Sequence, residues 1–418
     1  MAMTDTRSRP VFSPRRAFRT LFVRPESRLR PLDGLRALSV LWVVLFHTGW
    51  HAIAGIPLPS YLTLLFARWM LPIWRGAFGV DVFFVLSGFL IAGMLIDEID
   101  RTGGVQLELF YLRRLMRLWP ALALVVALDT LFVCDHAGAP WANLLYVSNF
   151  VSIGGVCTGW TWSLSIEEQF YLLCPWLLFV IVPLRGSLRA MALSAVIVGL
   201  CFVAAYVVLH GNFGAGDSEI VINRPLIRWI AAYDSLYSKP WMRAGPLLAG
   251  VGAAFAYRSS RVMDGLSRAR VSGAIGLLMA LAAAGIFMHW QLFAGQRRAI
   301  EVAYLATYRT IFGLATAYIL LLSLSQHPVG RLLARPLSTQ ALFPIAQLAY
   351  SAYLLNPLVA TVLHRAFAPF TRGGIGLPFL LLFPLDMIVT FAAATMVYVF
   401  IERPIMDMRP RAEVATSP

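Results

Sequence analysis

Residues 79–96 read GVDVFFVLSGFLIAGMLI, with Asp81 the only charged side chain in the run. A helix rises about 1.5 Å per residue and the hydrocarbon core of a bilayer is about 30 Å thick, so this run is close to the length that crosses a membrane. Nine further stretches meet or approach that length, over 35–53, 119–134, 165–183, 191–209, 241–257, 271–289, 303–324, 343–363 and 377–400. The stretch over 241–257 carries the shortest apolar part, PLLAGVGAAFAY, whose small residues suit helix contact better than lipid. Of the 418 residues, 59% are hydrophobic and 13% charged, which leaves too few polar groups to cover a surface facing water. The expected fold is all-α, a polytopic integral membrane protein of about ten transmembrane helices.

A net charge of +14 raises the question of nucleic acid, and the placement of the basic residues answers it. Eight arginines precede residue 31, Arg113, Arg114 and Arg117 share one loop, and Arg258, Arg261, Arg268 and Arg270 share another. All these segments fall on one side if the N-terminus is cytoplasmic, as the excess of Lys and Arg on cytoplasmic loops requires. Both termini are then cytoplasmic, and the expected contact is anionic lipid, with no nucleic acid. Residues 1–30 read as a disordered arginine-rich tail, 31–405 as one membrane domain and 406–418 as a short cytoplasmic tail. The first 30 residues lack an apolar signal core, so the first helix is expected to be retained as an anchor.

The four cysteines show no spacing that suggests a metal site. Cys134 and Cys157 fall at the outer end of the third span and in the loop after it, where an oxidising compartment permits either a disulfide or two separate thiols. Cys174 and Cys201 lie in spans and read as packing residues.

Ionisable groups within spans are costly, so they are the first candidates for function. In DGLRALSVLWVVLFH, residues 33–47, Arg36 and His47 lie 11 residues apart. That is close to three helical turns, so they share a face roughly 16 Å apart. A neutral imidazole there suits a general base, or equally a hydrogen bond between helices. In FGVDVFFVLSGFLI, residues 78–91, Gly79, Ser87 and Gly88 permit close backbone approach and Asp81 sits near the outer end. In FYLRRLMRLWPAL, residues 110–122, Arg114 and Arg117 share a helix face, and Pro120 reads as part of the first turn of the span. Two guanidiniums so placed can grip a phosphate or simply anchor the helix on the cytoplasmic side. In TWSLSIEEQFYL, residues 161–172, Ser163 or Ser165 could cap the helix, while Glu167 and Glu168 point about 100° apart, so only one easily faces a cavity.

Together, Arg36-x10-His47, the FFVLSGF run, RLMR and WSLSIEEQFY resemble acyltransferase family 3, which includes O-antigen and other cell-surface glycan acetyltransferases and macrolide acyltransferases. The resemblance covers about residues 31–405 and extends to AYSAYLLNP, residues 349–357, and FIERP, residues 400–404. It implies a multi-pass enzyme of the bacterial inner membrane that moves an acyl group, usually acetyl, from acyl-CoA to a hydroxyl of a glycan or glycolipid acceptor. No bound cofactor is implied, since acetyl-CoA acts as co-substrate. By position, His47 is the implied general base, supported by Glu167, and Arg36, Arg114 and Arg117 face the donor. Asp33, Asp81, Ser87, Trp162, Ser163, Glu168, Tyr171, Tyr353 and Asn356 belong to the same motifs as supporting residues. Asn356 stands where the family often has histidine, and an amide takes no proton at neutral pH, which leaves His47 as the base. The rival readings are a secondary transporter, and a flippase-like or sensory protein that kept the fold and lost catalysis. A reporter fused after Pro418 is expected to read cytoplasmic; an outside signal would break the count of ten helices.

Overall fold

The computed structural model describes residues 13–27, 29–53, 75–134, 138–184, 186–218, 225–367 and 376–410. Its long helices are α1 (Pro14–Thr20), α2 (Arg30–Ile53), α3 (Phe78–Thr102), α4 (Leu107–Phe132), α5 (Trp162–Ile181), α6 (Gly186–His210), α7 (Pro240–Arg258), α8 (Arg270–Met288), α9 (Arg298–Leu324), α10 (Leu342–Phe367) and α11 (Gly376–Val397), α1 being the short exception. Among the described residues nine helices are long and apolar enough to cross a membrane. The tenth expected span exists as α7, which carries Arg243 near its start and packs its small residues against other helices. Outward faces carry apolar side chains such as Phe132, Phe202 and Val271, each more than 70% exposed, as lipid requires.

Two helix pairs organise the interior. The backbones of α3 and α7 meet at Gly88 and Gly250, where a Cβ would stand 2.0 Å from the Leu247 carbonyl oxygen and 2.2 Å from that of Val85. Only glycine permits this approach. Helix α9 closes the pair on one side, and α2 packs along α10 with α11 behind both.

The interface of α3, α7 and α9 holds the side chain that the sequence placed among the supporting residues, Asp81. It is fully buried and accepts from Arg243 at 3.0 Å and from Arg309. The guanidiniums lie over aromatic faces, Arg243 on Trp162 at 4.5 Å and Tyr237 at 4.3 Å, Arg309 on Phe78 at 4.2 Å. Trp162 and Asp81 therefore belong to one structural network.

Several expected boundaries are corrected. The stretch predicted as a disordered tail includes α1, capped by Ser13, whose residue Ala17 is buried together with Leu21 just beyond its end. Thr20 Oγ1 lies 3.1 Å from the Tyr398 hydroxyl, so an apolar edge hidden among arginines docks on the far end of the chain. Arg24 pairs with Asp33 at 2.6 Å, which gives that carboxylate an anchoring partner. Residues 1–12 and 411–418 of the two expected tails lie outside the described residues. Helix α4 starts at Leu107, so Pro120 sits in the helix interior, with Tyr350 donating to the nearby Leu118 carbonyl. At α5 neither serine caps: Ser163 pairs with Tyr353 and Ser165 with Ser148.

Removing one member of a buried ion pair leaves its partner charged and uncompensated, at a cost of roughly 3–5 kcal/mol. Asp81→Ala is therefore expected to lower the unfolding temperature of the purified protein sharply, and an unchanged transition would remove the network from the scaffold.

Candidate active site

The motifs sort into three neighbourhoods. The first is a cavity of about 390 Å³ whose wall includes Arg36, Ser87, Arg114, Arg117, Glu167 and Tyr353. Arg36 comes from α2, Ser87 from α3, and the two RLMR arginines from successive turns of α4, whose early start places them on helix. Glu167 accepts from the hydroxyls of Ser87 and Tyr171. Arg114 also lies over the Tyr171 ring at 5.5 Å. Of the adjacent glutamates only Glu167 lines this cavity, as their angular separation predicts. Glu168 instead has a buried Oε1 with no hydrogen-bond partner.

Sequence reasoning matched FIERP, residues 400–404, to the family without giving it a place in the site. After α11 the helix widens into a π turn, Tyr398–Glu402, a form often found at functional sites. The turn brings Tyr398 and the buried Glu402 into the same wall, and Ser351 donates to Glu402. Beyond it, Arg409 lies near Arg113, Arg114, Arg117 and Arg403, and burial together with these like charges pushes its guanidinium down to about 10. Its Nε and one terminal nitrogen are buried without a partner. An anion would satisfy both conditions.

A larger cavity, about 1060 Å³, opens beside the first and shares Leu90, Met94 and Arg114 with it. Arg101, Arg113 and Arg258 stand in its wall with Asp97 and Glu98. Arg113 also donates to the Pro410 carbonyl, so this cavity lies at the face where the described ends of the chain meet.

The second neighbourhood surrounds His47, which lines neither cavity. Its Nδ1 lies 3.0 Å from Asn356 Oδ1, and Asn356 Nδ2 donates to Asp386 at 3.2 Å. The expected support of His47 by Glu167 is not formed. Glu167 is held by hydroxyls from α3 and α5, while the imidazole turns to α10. The third neighbourhood is the segment between α4 and α5, residues 138–161. A disulfide joins Cys134 to Cys157, resolving the open alternative of the sequence. The loop is further tied by Asn143 to Thr161 at 2.7 Å, by Asp234 to the Ile153 amide at 3.0 Å, and by Trp160 to the Leu354 carbonyl at 3.1 Å. Tyr353 returns a bond to the Trp160 carbonyl at 2.7 Å, so the loop rests directly on the cavity wall.

Comparison with known sequences identifies the family. A family profile described as an acyltransferase domain matches residues 30–399. The chain belongs to acyltransferase family 3. It is a membrane acyltransferase, and the matched residues run from the start of α2 into the π turn that completes the cavity. The chain is 28% identical to the regulator of hypoxia-inducible factor 1 of Caenorhabditis elegans, over 94% of its own length and 82% of the relative. It is also 28% identical to the O-acetyltransferase OatA of Staphylococcus aureus, over 90% of its length and 56% of that protein. The chain thus spans little more than half of OatA. No solved structure matches it.

The crowded guanidiniums generate a direct expectation for this acyltransferase. Pyrophosphate is expected to raise the unfolding temperature of the wild type, and to do so less as salt increases. The Arg117→Gln, Arg409→Gln double variant should lose that response; an equal response would return these arginines to an anchoring role.

Proposed function

We propose that the protein is an O-acyltransferase of a bacterial cytoplasmic membrane. It moves an acyl group, most simply acetyl, from acyl-CoA to a hydroxyl of a glycan or glycolipid. The observation that carries this reading is the pair of cavities meeting at Arg114, one wide and lined by arginines, the other narrow and lined by hydroxyls and Glu167. A nucleotide with several phosphates fits the first chemically, and a thin acyl-bearing arm fits the second. Guanidiniums bind phosphate oxygens through charge-assisted, often bidentate bonds, which assigns the donor's phosphates to the junction, where Arg114 lines both cavities, Arg36 and Arg117 stand beside it in the narrow one, and Arg409 is an added member.

In this scheme His47 takes the proton of the acceptor hydroxyl as the oxygen attacks the thioester carbonyl. A C–O bond forms, the C–S bond breaks, and the proton passes to the departing thiolate of coenzyme A. His47 lies about three turns along α2 from Arg36, so donor and acceptor approach from opposite faces. The acyl end must travel past the Ser87–Glu167–Tyr171 group, where those three residues orient it. Ser163, Tyr353 and the loop above them belong to the acceptor side in this reading, and Glu168 supports the wall behind Arg114. The relationship to the O-acetyltransferase OatA supports oxygen as the accepting atom.

The test is transfer of label from radiolabelled acetyl-CoA in membranes containing wild type or His47→Ala, with a cell-envelope extract as acceptor. Label is expected in glycan with wild type, and a decrease on the order of a hundredfold or more with His47→Ala, the scale general-base catalysis supplies. Equal labelling by the variant would remove His47 as the base. Labelling by neither, with acetyl-CoA binding intact, would overturn the glycan acceptor.

A further inference from the structure

Asp386 belongs to none of the motifs above, yet it is a fully buried carboxylate within α11. It accepts from Thr48 and Asn356 through Oδ2, and from Thr390 at 3.2 Å through Oδ1. An ionisable group so deep in a span requires a reason, and its partners supply one. Thr48 follows His47 directly on α2, and Asn356 is the residue that His47 touches.

We infer that Asp386 is a positioning residue that fixes, through Asn356, which nitrogen of His47 carries the proton. A carboxylate only accepts, so the amide of Asn356 must turn its NH2 toward Asp386. The amide oxygen then faces His47, and an oxygen at 3.0 Å from Nδ1 requires Nδ1 to be the donor. In the neutral ring the lone pair is left on Nε2, which makes no hydrogen bond among the described residues. The chain Asp386–Asn356–His47 thus presents Nε2 as the basic atom without placing a charge beside the imidazole.

Asn356 has a positive role in this arrangement. A histidine at 356 would itself have two tautomers, whereas an amide held by a carboxylate has one orientation. Thr48 and Thr390 complete the lock by reaching both oxygens of Asp386, and the imidazole of His364 lies within electrostatic range of it. Three helices contribute to it, α2, α10 and α11, and each supplies a side chain the other two cannot replace. That His47 is the base rests on the proposed function; the tautomer assignment rests on the geometry alone.

The experiment uses the full-length protein in lipid bilayers with 15N-labelled histidine, observed by solid-state NMR. The His47 signal is identified by its loss in His47→Gln. Wild type is expected to show a protonated Nδ1 and a bare Nε2. Asp386→Leu should populate the opposite tautomer and lower kcat on the order of a hundredfold with little change in the KM for acetyl-CoA. Asp386→Asn, whose carbonyl can still accept from Asn356, should retain the wild-type tautomer and most of kcat. This conservative variant distinguishes the lock from a folding defect, because a protein that merely needs a buried carboxylate would fail with both substitutions. A protonated Nε2 in wild type, or an unchanged tautomer in a folded Asp386→Leu, would overturn the inference. A tautomer that shifts while kcat stays constant would support the lock and overturn His47 as the base.

Discussion

One carboxylate between two guanidiniums organises this membrane domain. In lipid no water is available to solvate a charge, so Asp81, Arg243 and Arg309 must satisfy one another across α3, α7 and α9. Their aromatic neighbours, Phe78, Trp162 and Tyr237, spread the surplus positive charge over ring faces. This fixes the rotation of α3 about its axis, and with it the direction in which Ser87 meets Glu167. The cavity's shape therefore depends on a charge network that lines neither described cavity.

The architecture was legible because lipid imposes a simple rule, about 20 apolar residues per span, and each of the ten predicted stretches overlaps a helix of the structure. The site was legible in part. Arg36, Arg114, Arg117, Ser87 and Glu167 converge as the motifs imply, since spacing along a helix determines which side chains share a face. What failed were pairings between distant segments. Nothing in the order of residues tells His47 to meet α10 and not α5, because that choice is made by how whole helices pack. Asp386, Arg243 and Arg309 were overlooked for a different reason. Each is an isolated charge in a long apolar run, and attention to named motifs passed over residues that the cost of burying charge alone should have marked.

The end of the chain carries a related lesson. The π turn at Tyr398–Glu402 has no signature in composition, yet it places Glu402 in the cavity and leads to Arg409 beside the RLMR arginines. Helix α1 docks on the same turn through Thr20 and Tyr398. An arginine-rich segment that reads as a tail in this way packs against the turn that lines the narrow cavity.

The glycine contact between α3 and α7 bears on how the protein can work. Side chains can rotate to let two helices slide, but at Gly88 and Gly250 the main chains themselves touch, and nothing there can move aside. Any side chain at position 88 or 250 would push α3 away from α7, and with it Ser87, which stands in the cavity wall beside the contact.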